Sequence, residues 1–218
     1  MHPKLIIFDW DGTLADTTGP IIAAFRHSFR ECGLPEPDAD TIRSLIGYSL
    51  PQIVYTLAPE ADRRTHELLI ETYTASSFNP NNQNMKLFDS ALPCLTTLKQ
   101  QGYWLAVATG KGRSGLDKAI TQTGTADFWL ATTCASEQPS KPAPDMVLHL
   151  CDQLGLMPSE TLVVGDTSYD LDMAANAGAA AVGVATGAHS KALLLGCKPL
   201  AVIDGLAELP PLLAGLPK

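Results

Sequence analysis

The spacing of apolar residues changes period along the chain, and each change marks a different kind of element. Leu5-Ile6-Ile7 is a short continuous apolar run, which predicts a strand buried on both faces. Asp9, Asp11 and Gly12 follow at once, so the strand gives way to a loop carrying two carboxylates. The period then becomes helical: Ile21, Ile22, Phe25, Phe29 and Cys32 recur on one face, which Gly33 and Pro35 end. Further helical patterns cover about Asp38 to Ile46, Leu50 to Leu57 and Glu60 to Phe78, punctuated by Gly47, Pro51 and Pro59. No strand pattern interrupts this block. The polar stretch 79–84 reads as the linker returning from it.

From Phe88 onward helix and strand patterns alternate. A helix over Asp89 to Gln101 leads through Gly102 into the strand Trp104 to Ala108, and a helix after Thr109-Gly110-Lys111 ends near Gly124. A weaker strand, Trp129 to Thr133, precedes a helix over Pro144 to Leu154 with Gly155 just past its end. Thr161 to Val164 is a clear buried strand, followed by a short helix to Ala177 and strands near Ala180 to Val184 and Leu200 to Ile203. Such alternation predicts an α/β fold, a Rossmann-like and mostly parallel sheet with helices on both faces. Residues 1–16 and 85–218 would form this core domain, with 17–84 an inserted all-helical cap domain.

Composition narrows the functional classes. Hydrophobic residues make up 45% and charged residues 17%, which is globular rather than disordered. A net charge of −8, with no Lys/Arg run, argues against nucleic acid as a partner. The five cysteines are scattered and never form Cys-x-x-Cys, as expected of reduced structural thiols. The histidines fall in no metal-binding pattern, and no apolar run suits a signal peptide or a membrane span. These features predict a soluble cytoplasmic protein, monomer or homodimer, with no membrane partner.

The candidate chemistry lies where strands end. Asp9 and Asp11, two residues apart, project on the same side, and their mutual repulsion calls for a cation or a shared proton. A calcium loop is excluded, because counting from Asp9 its required Gly and Glu positions hold Leu14 and Pro20. Thr109 follows a strand and stands at a helix start, where a hydroxyl and free N–H groups can receive an anion, although for a Thr alone the N-cap is the commoner role. Asp166 and Asp170 flank another strand-to-helix turn, where capping is the simpler role for each alone. Lys141 is followed by Pro142 and Pro144 just ahead of a helix. Together, four carboxylates, a hydroxyl and an ammonium at one sheet edge would bind a hard divalent cation and a phosphate.

Over nearly its whole length the chain resembles the haloacid dehalogenase-like hydrolase superfamily, closest to its phosphoglycolate phosphatase-like branch. The four motifs stand in order as Asp9-Trp10-Asp11-Gly12-Thr13, Thr109, Lys141-Pro142, and Gly165-Asp166 through Asp170. The resemblance implies a magnesium-dependent phosphatase of small phosphate monoesters, phosphoglycolate-like, working through an aspartyl-phosphate. It assigns Asp9 as nucleophile and Asp11 as general acid and then base. It also implies Mg2+ held by Asp9, Asp11 through its carbonyl, and Asp166, with Asp170 supporting. Gly12, Thr13, Thr109, Gly110 and Lys141 would bind the phosphoryl group. Asp9 is expected ionised and Asp11 pushed toward protonation. Asp172 should face solvent.

The turn Ile46-Gly47-Tyr48-Ser49 resembles the cap segment that reaches the active site in relatives, so Gly47, Tyr48, Ser49 and nearby Arg43 are candidate specificity residues, with core packing for Tyr48 and a solvated helix face for Arg43 as the alternative roles. Gly110 departs from relatives that carry a polar side chain after the Thr. Asp11 argues against a haloalkanoate dehalogenase, which lacks an acid there. The absence of lysine between Lys4 and Lys86 argues against a phosphonatase, which needs a cap lysine. A phosphomutase shares the nucleophile and acid. A receiver-like phospho-aspartate switch, the alternative from another class, is opposed by the inserted helices and the chain length.

Overall fold

A computed structural model of the chain describes residues 3–77 and 85–216. The expected linker over 79–84 lies outside them. Six parallel strands form one sheet: β1 (Leu5–Phe8), β2 (Trp104–Thr109), β3 (Ala131–Cys134), β4 (Thr161–Gly165), β5 (Ala180–Val184) and β6 (Ala201–Ile203). Their order is β3-β2-β1-β4-β5-β6. The chain winds outward from β1 in both directions, so the crevice beyond the carboxyl ends of β1, β2 and β4 is where a ligand belongs.

Both faces of the sheet are covered, as the continuous apolar runs predict. Ile6, Phe8, Val107 and Val164 point to one face, covered by α5 (Ala91–Gln100), α6 (Arg113–Thr123) and α10 (Leu209–Ala214). Leu5, Ile7, Ala106 and Val163 point to the other, under α7 (Asp145–Leu154) and α8 (Ser168–Ala177). Burying each such side chain contributes about 1.5–3 kcal/mol, which fixes the register and so the places where strands end.

The helical block consists of α1 (Thr18–Glu31), α2 (Ala39–Leu45), α3 (Leu50–Leu57) and α4 (Arg63–Ser77). It has its own small core of Phe25, Phe29, Ile42, Ile53, Val54 and Leu69. The chain leaves and re-enters the sheet domain at one place, where the Asp16 N–H donates to the Lys86 carbonyl at 2.9 Å.

The structure departs from the sequence expectation in the third strand and in two short helices. Trp129 precedes the strand rather than opening it: a 3-10 turn at Ala126–Phe128 comes first, and β3 begins at Ala131. Its apolar character serves packing against Phe8 and Trp10, with ring centroids 6.2 and 6.3 Å apart. The short helices α9 (Lys191–Gly196) and α10 go unmarked in the apolar pattern. In α10 the prolines sit in the first turn, where a missing N–H costs nothing. Among the described residues no helix is long and apolar enough to cross a membrane.

Candidate active site

The strand ends converge. Asp9 continues from β1, its N–H donating to the Val164 carbonyl at 3.0 Å, so its backbone is fixed beside β4. Asp166 follows β4, and Asp170 lies one turn into α8. Carboxylate oxygens of Asp9, Asp166 and Asp170 all lie within 4.8 Å of one another, and all three residues are buried. Between them runs Lys141, itself 0% exposed, with Nζ 2.6 Å from Asp9 Oδ1 and 2.5 Å from Asp170 Oδ1. The second contact is an ion pair without hydrogen-bond alignment, and Asp170 Oδ1 has no hydrogen-bond partner.

Each remaining oxygen is held for a reason. Thr13 Oγ1 donates to Asp166 Oδ1 at 2.8 Å, and the Ala188 N–H donates to Asp166 Oδ2 at 2.8 Å. Thr167 caps α8 and donates to Asp170 Oδ2 from both its N–H and its hydroxyl, at 3.1 and 2.7 Å. Gly12 has φ +81°, and a Cβ there would lie 2.4 Å from Asp166 Oδ2, so only glycine lets the loop pass.

Three buried carboxylates share one ammonium, an imbalance that raises the cost of ionisation. Burial, followed by the nearby Asp170 and Asp11 charges, pushes Asp9 up to about 7 although Lys141 pulls the other way. Burial, with Asp9 and Asp170, also drives Asp166 well above the carboxylate range. An all-oxygen, net-negative donor set of this kind suits a hard divalent cation, which would restore the ionised forms. Without a cation, therefore, Asp9 is pushed toward its neutral form, against the expectation that it is ionised.

A stability prediction follows. The metal-free folded state binds more protons than the unfolded chain between about pH 4 and pH 7, so stability falls as pH rises through that window. Asp38, Asp62 and Glu137 are held below their ordinary values and act oppositely, but only at lower pH. In EDTA, Tm by calorimetry should drop several degrees from pH 5 to pH 8, and saturating magnesium should remove most of that drop. A flat profile in EDTA would contradict the charge imbalance.

Asp11 sits apart from this cluster. Its Oδ1 accepts from Thr17 Oγ1 at 2.6 Å and pairs with Lys111 Nζ at 2.9 Å. It lines a cavity of about 270 Å³ between the sheet edge and the helical block, together with Asp9, Thr109, Gly110 and Lys111. Gly47, Tyr48 and Ser49 line it from the other side. Beside it, contacts between the helical block and the strand-end loops are specific. The Ser49 N–H donates to Ser140 Oγ at 2.9 Å, Tyr169 Oη donates to the Ser44 carbonyl at 2.7 Å, and the Tyr48 and Tyr169 rings stack with centroids 3.9 Å apart. Arg43 is not brought to the cavity; it is an exposed partner of Asp40. Asp172 is exposed, as expected.

The family model for haloacid dehalogenase-like hydrolases matches residues 6–184. The chain belongs to that family. It is 34% identical over 211 residues to probable phosphatase IndB of Dickeya dadantii, covering 94% of this chain and 90% of that protein. To the phosphoglycolate phosphatase of Haemophilus influenzae it is 29% identical over 215 residues, covering 94% and 96%. A crystal structure of a haloacid dehalogenase-like hydrolase from Bacteroides fragilis matches with TM-score 0.88 at 27% identity, covering 95% of this chain and 99% of that one. Its likeness is to the phosphoglycolate phosphatase-like branch.

In this haloacid dehalogenase-like hydrolase several site residues escape sequence reasoning. Lys111 reads locally as the close of a strand, and its partner Asp11 is far away in sequence. Tyr169 and Ser140 matter only once the helical block is in place, and so does His189, which accepts from the Ser168 N–H at 3.0 Å and lies edge-on to Tyr169 with ring centroids 5.1 Å apart. The departure at Gly110 also gains a reason. A Cβ there would lie 2.5 Å from the Tyr48 carbonyl oxygen and 2.6 Å from that of Gly47. Gly110→Ala should therefore push the 47–48 turn away, lowering kcat/KM about tenfold, equivalent to about 1.4 kcal/mol, with little change in Tm. Steady-state kinetics beside a melting curve checks it; unchanged kcat/KM would mean the turn does not need that closeness.

Proposed function

We propose that the chain is a magnesium-dependent phosphatase that hydrolyses a small phosphate monoester through an aspartyl-phosphate on Asp9. The observation that carries this reading is the buried cluster of Asp9, Asp166, Asp170 and Lys141 opening into a cavity that also holds Asp11. Asp9, Asp166 and the Asp11 carbonyl would hold the cation, with Asp170 in support; its chemistry is to offset phosphoryl charge and keep Asp9 ionised.

Asp9 attacks phosphorus in line with the ester oxygen, forming the acyl phosphate as the bond to the alcohol breaks. Lys141 steadies Asp9 and the transferring phosphoryl oxygens, and Thr109 with the Gly110 N–H receives those oxygens at the start of α6. Asp11 gives its proton to the departing alkoxide. It then takes a proton from a water that attacks phosphorus, releasing phosphate and restoring Asp9. Asp11 must lose its hold on Lys111 to be protonated. An incoming phosphate dianion beside Lys111 competes for that ammonium and so loosens the pair. The helical block acts as the cap that excludes bulk water, joined to the sheet domain across Asp16 and Lys86.

The test is phosphate release from a panel of esters, phosphoglycolate included, with magnesium or EDTA, alongside Asp9→Asn. Magnesium-dependent release lost in the variant is expected. Release that is unaffected by the variant would overturn the covalent route, and transfer between sugar positions without phosphate release would favour a mutase.

A further inference from the structure

Resting on that phosphatase reading, we infer that the alcohol released is uncharged and largely apolar, a ring or branched carbon body, rather than a hydroxy acid such as glycolate. The cavity holds about 270 Å³, just below the about 300–1,000 Å³ usual for small-molecule sites. A two-carbon acid beside the phosphoryl position would leave much of it unfilled. The lining supplied by the helical block is mostly hydrocarbon, Ile21, Phe25, Leu50, Pro51, Ile53 and the ring of Tyr73, with the hydroxyls of Ser49 and Thr74 its neutral polar groups.

Positive charge to receive a carboxylate is missing from that wall. Lys111 is the one cationic side chain among the described lining residues, and in the reaction above its ammonium passes from Asp11 to the phosphate dianion, so it is not left for a second anion. Arg43 pairs with Asp40, and Arg113 is tied to Glu137 and Asp117; neither lines the cavity. The undescribed stretch 78–84 contains no Lys or Arg, so it supplies none. The first turn of α3 borders the cavity, yet Pro51 has no N–H and the Ser49 N–H is given to Ser140, which leaves the Leu50 N–H as the one donor of that turn among the lining residues and no formal charge beside it. The 47–48 turn brings two carbonyl oxygens close to Gly110, a surface that favours a hydroxyl or N–H donor and repels an anion. A carboxylate there would be desolvated and unpaired, in a cavity that Asp9 and Asp11 already line.

The experiment compares kcat/KM for cyclohexylmethyl phosphate with phosphoglycolate and inorganic pyrophosphate, using the full chain with magnesium. Both organic esters are alkyl, which keeps the leaving oxygens comparable. The neutral ester is expected to exceed the two anionic ones by at least about 100-fold. Pro51→Arg, at an exposed place in the wall, should narrow that ratio at least about tenfold by supplying the missing cation. Leu50→Lys provides the same reading should the first variant fail to fold. Phosphoglycolate or pyrophosphate turned over as well as the neutral ester would overturn the inference and leave the phosphatase reading standing. A neutral preference unmoved by either cationic variant would put the selectivity elsewhere and overturn it too. No hydrolysis of any ester by folded, magnesium-loaded protein would overturn the phosphatase reading and this inference with it.

Discussion

Asp9→Asn is expected to lower kcat by at least about 10⁴-fold while leaving the fold intact, because the amide cannot form the acyl phosphate. The two effects can be separated on energetic grounds. Asp9 is buried and its carboxyl is pushed up to about 7, so at pH 8 the metal-free fold carries an ionised group that its surroundings disfavour. With about 1.4 kcal/mol for each pKa unit, that penalty is up to about 4 kcal/mol, and a neutral amide removes part of it. The variant should thus melt higher than the wild type at pH 8 in EDTA, by a few degrees, and gain less from added magnesium. Rapid acid quench with an ester labelled in its phosphoryl group gives the complementary reading. Label should stay with the wild-type peptide that carries Asp9 and be absent from the variant. A variant that melts lower and still turns over would contradict both the charge imbalance and the nucleophile.

Why so much of this site could be read from sequence is visible in the residues themselves. Asp9, Thr109 and Asp166 each end an apolar run, and parallel strands buried on both faces leave little choice about which end meets solvent. Lys141 sits 132 positions from Asp9, but the prolines after it mark a fixed turn. Glycine stops at 102, 155 and 178 likewise fix the helix ends.

What stayed hidden depends on packing between units. Nothing local ties Lys111 to Asp11, Tyr169 to Ser44 or Ser140 to Ser49, since each pair joins segments distant in sequence. Arg43 drew notice because it precedes the 47–49 turn, yet its place on α2 points it to Asp40 and solvent. The upward shift of Asp9 lies deeper still. Charge spacing along a loop identifies two repelling carboxylates, whereas the identity of the disfavoured one depends on burial and on Asp170 arriving from another strand end.

Lys141→Met should have the largest effect on stability of any single change at the site, together with loss of activity. The ammonium is 0% exposed and touches both Asp9 and Asp170; a methionine of similar length fills the space without charge. Removing one partner of a buried pair leaves uncompensated charge and costs about 3–5 kcal/mol, or roughly 6–20 °C in Tm for a chain of this size. Burial pulls the lysine toward neutrality, but Asp170 and Asp9 outweigh it and hold its proton above the ordinary lysine value. Its contribution is therefore present throughout the neutral range and would be lost only as pH rises through that elevated value. The deficit of the variant has its own pH dependence, set by the carboxylates left behind. It should shrink as pH falls toward 5, where Asp9 and Asp166 take up protons, and widen toward pH 8. Magnesium should recover part of it by supplying the missing positive charge. Melting curves at pH 5 and pH 8, with and without magnesium, would separate this from loss of packing, which neither acid nor a divalent ion would repair.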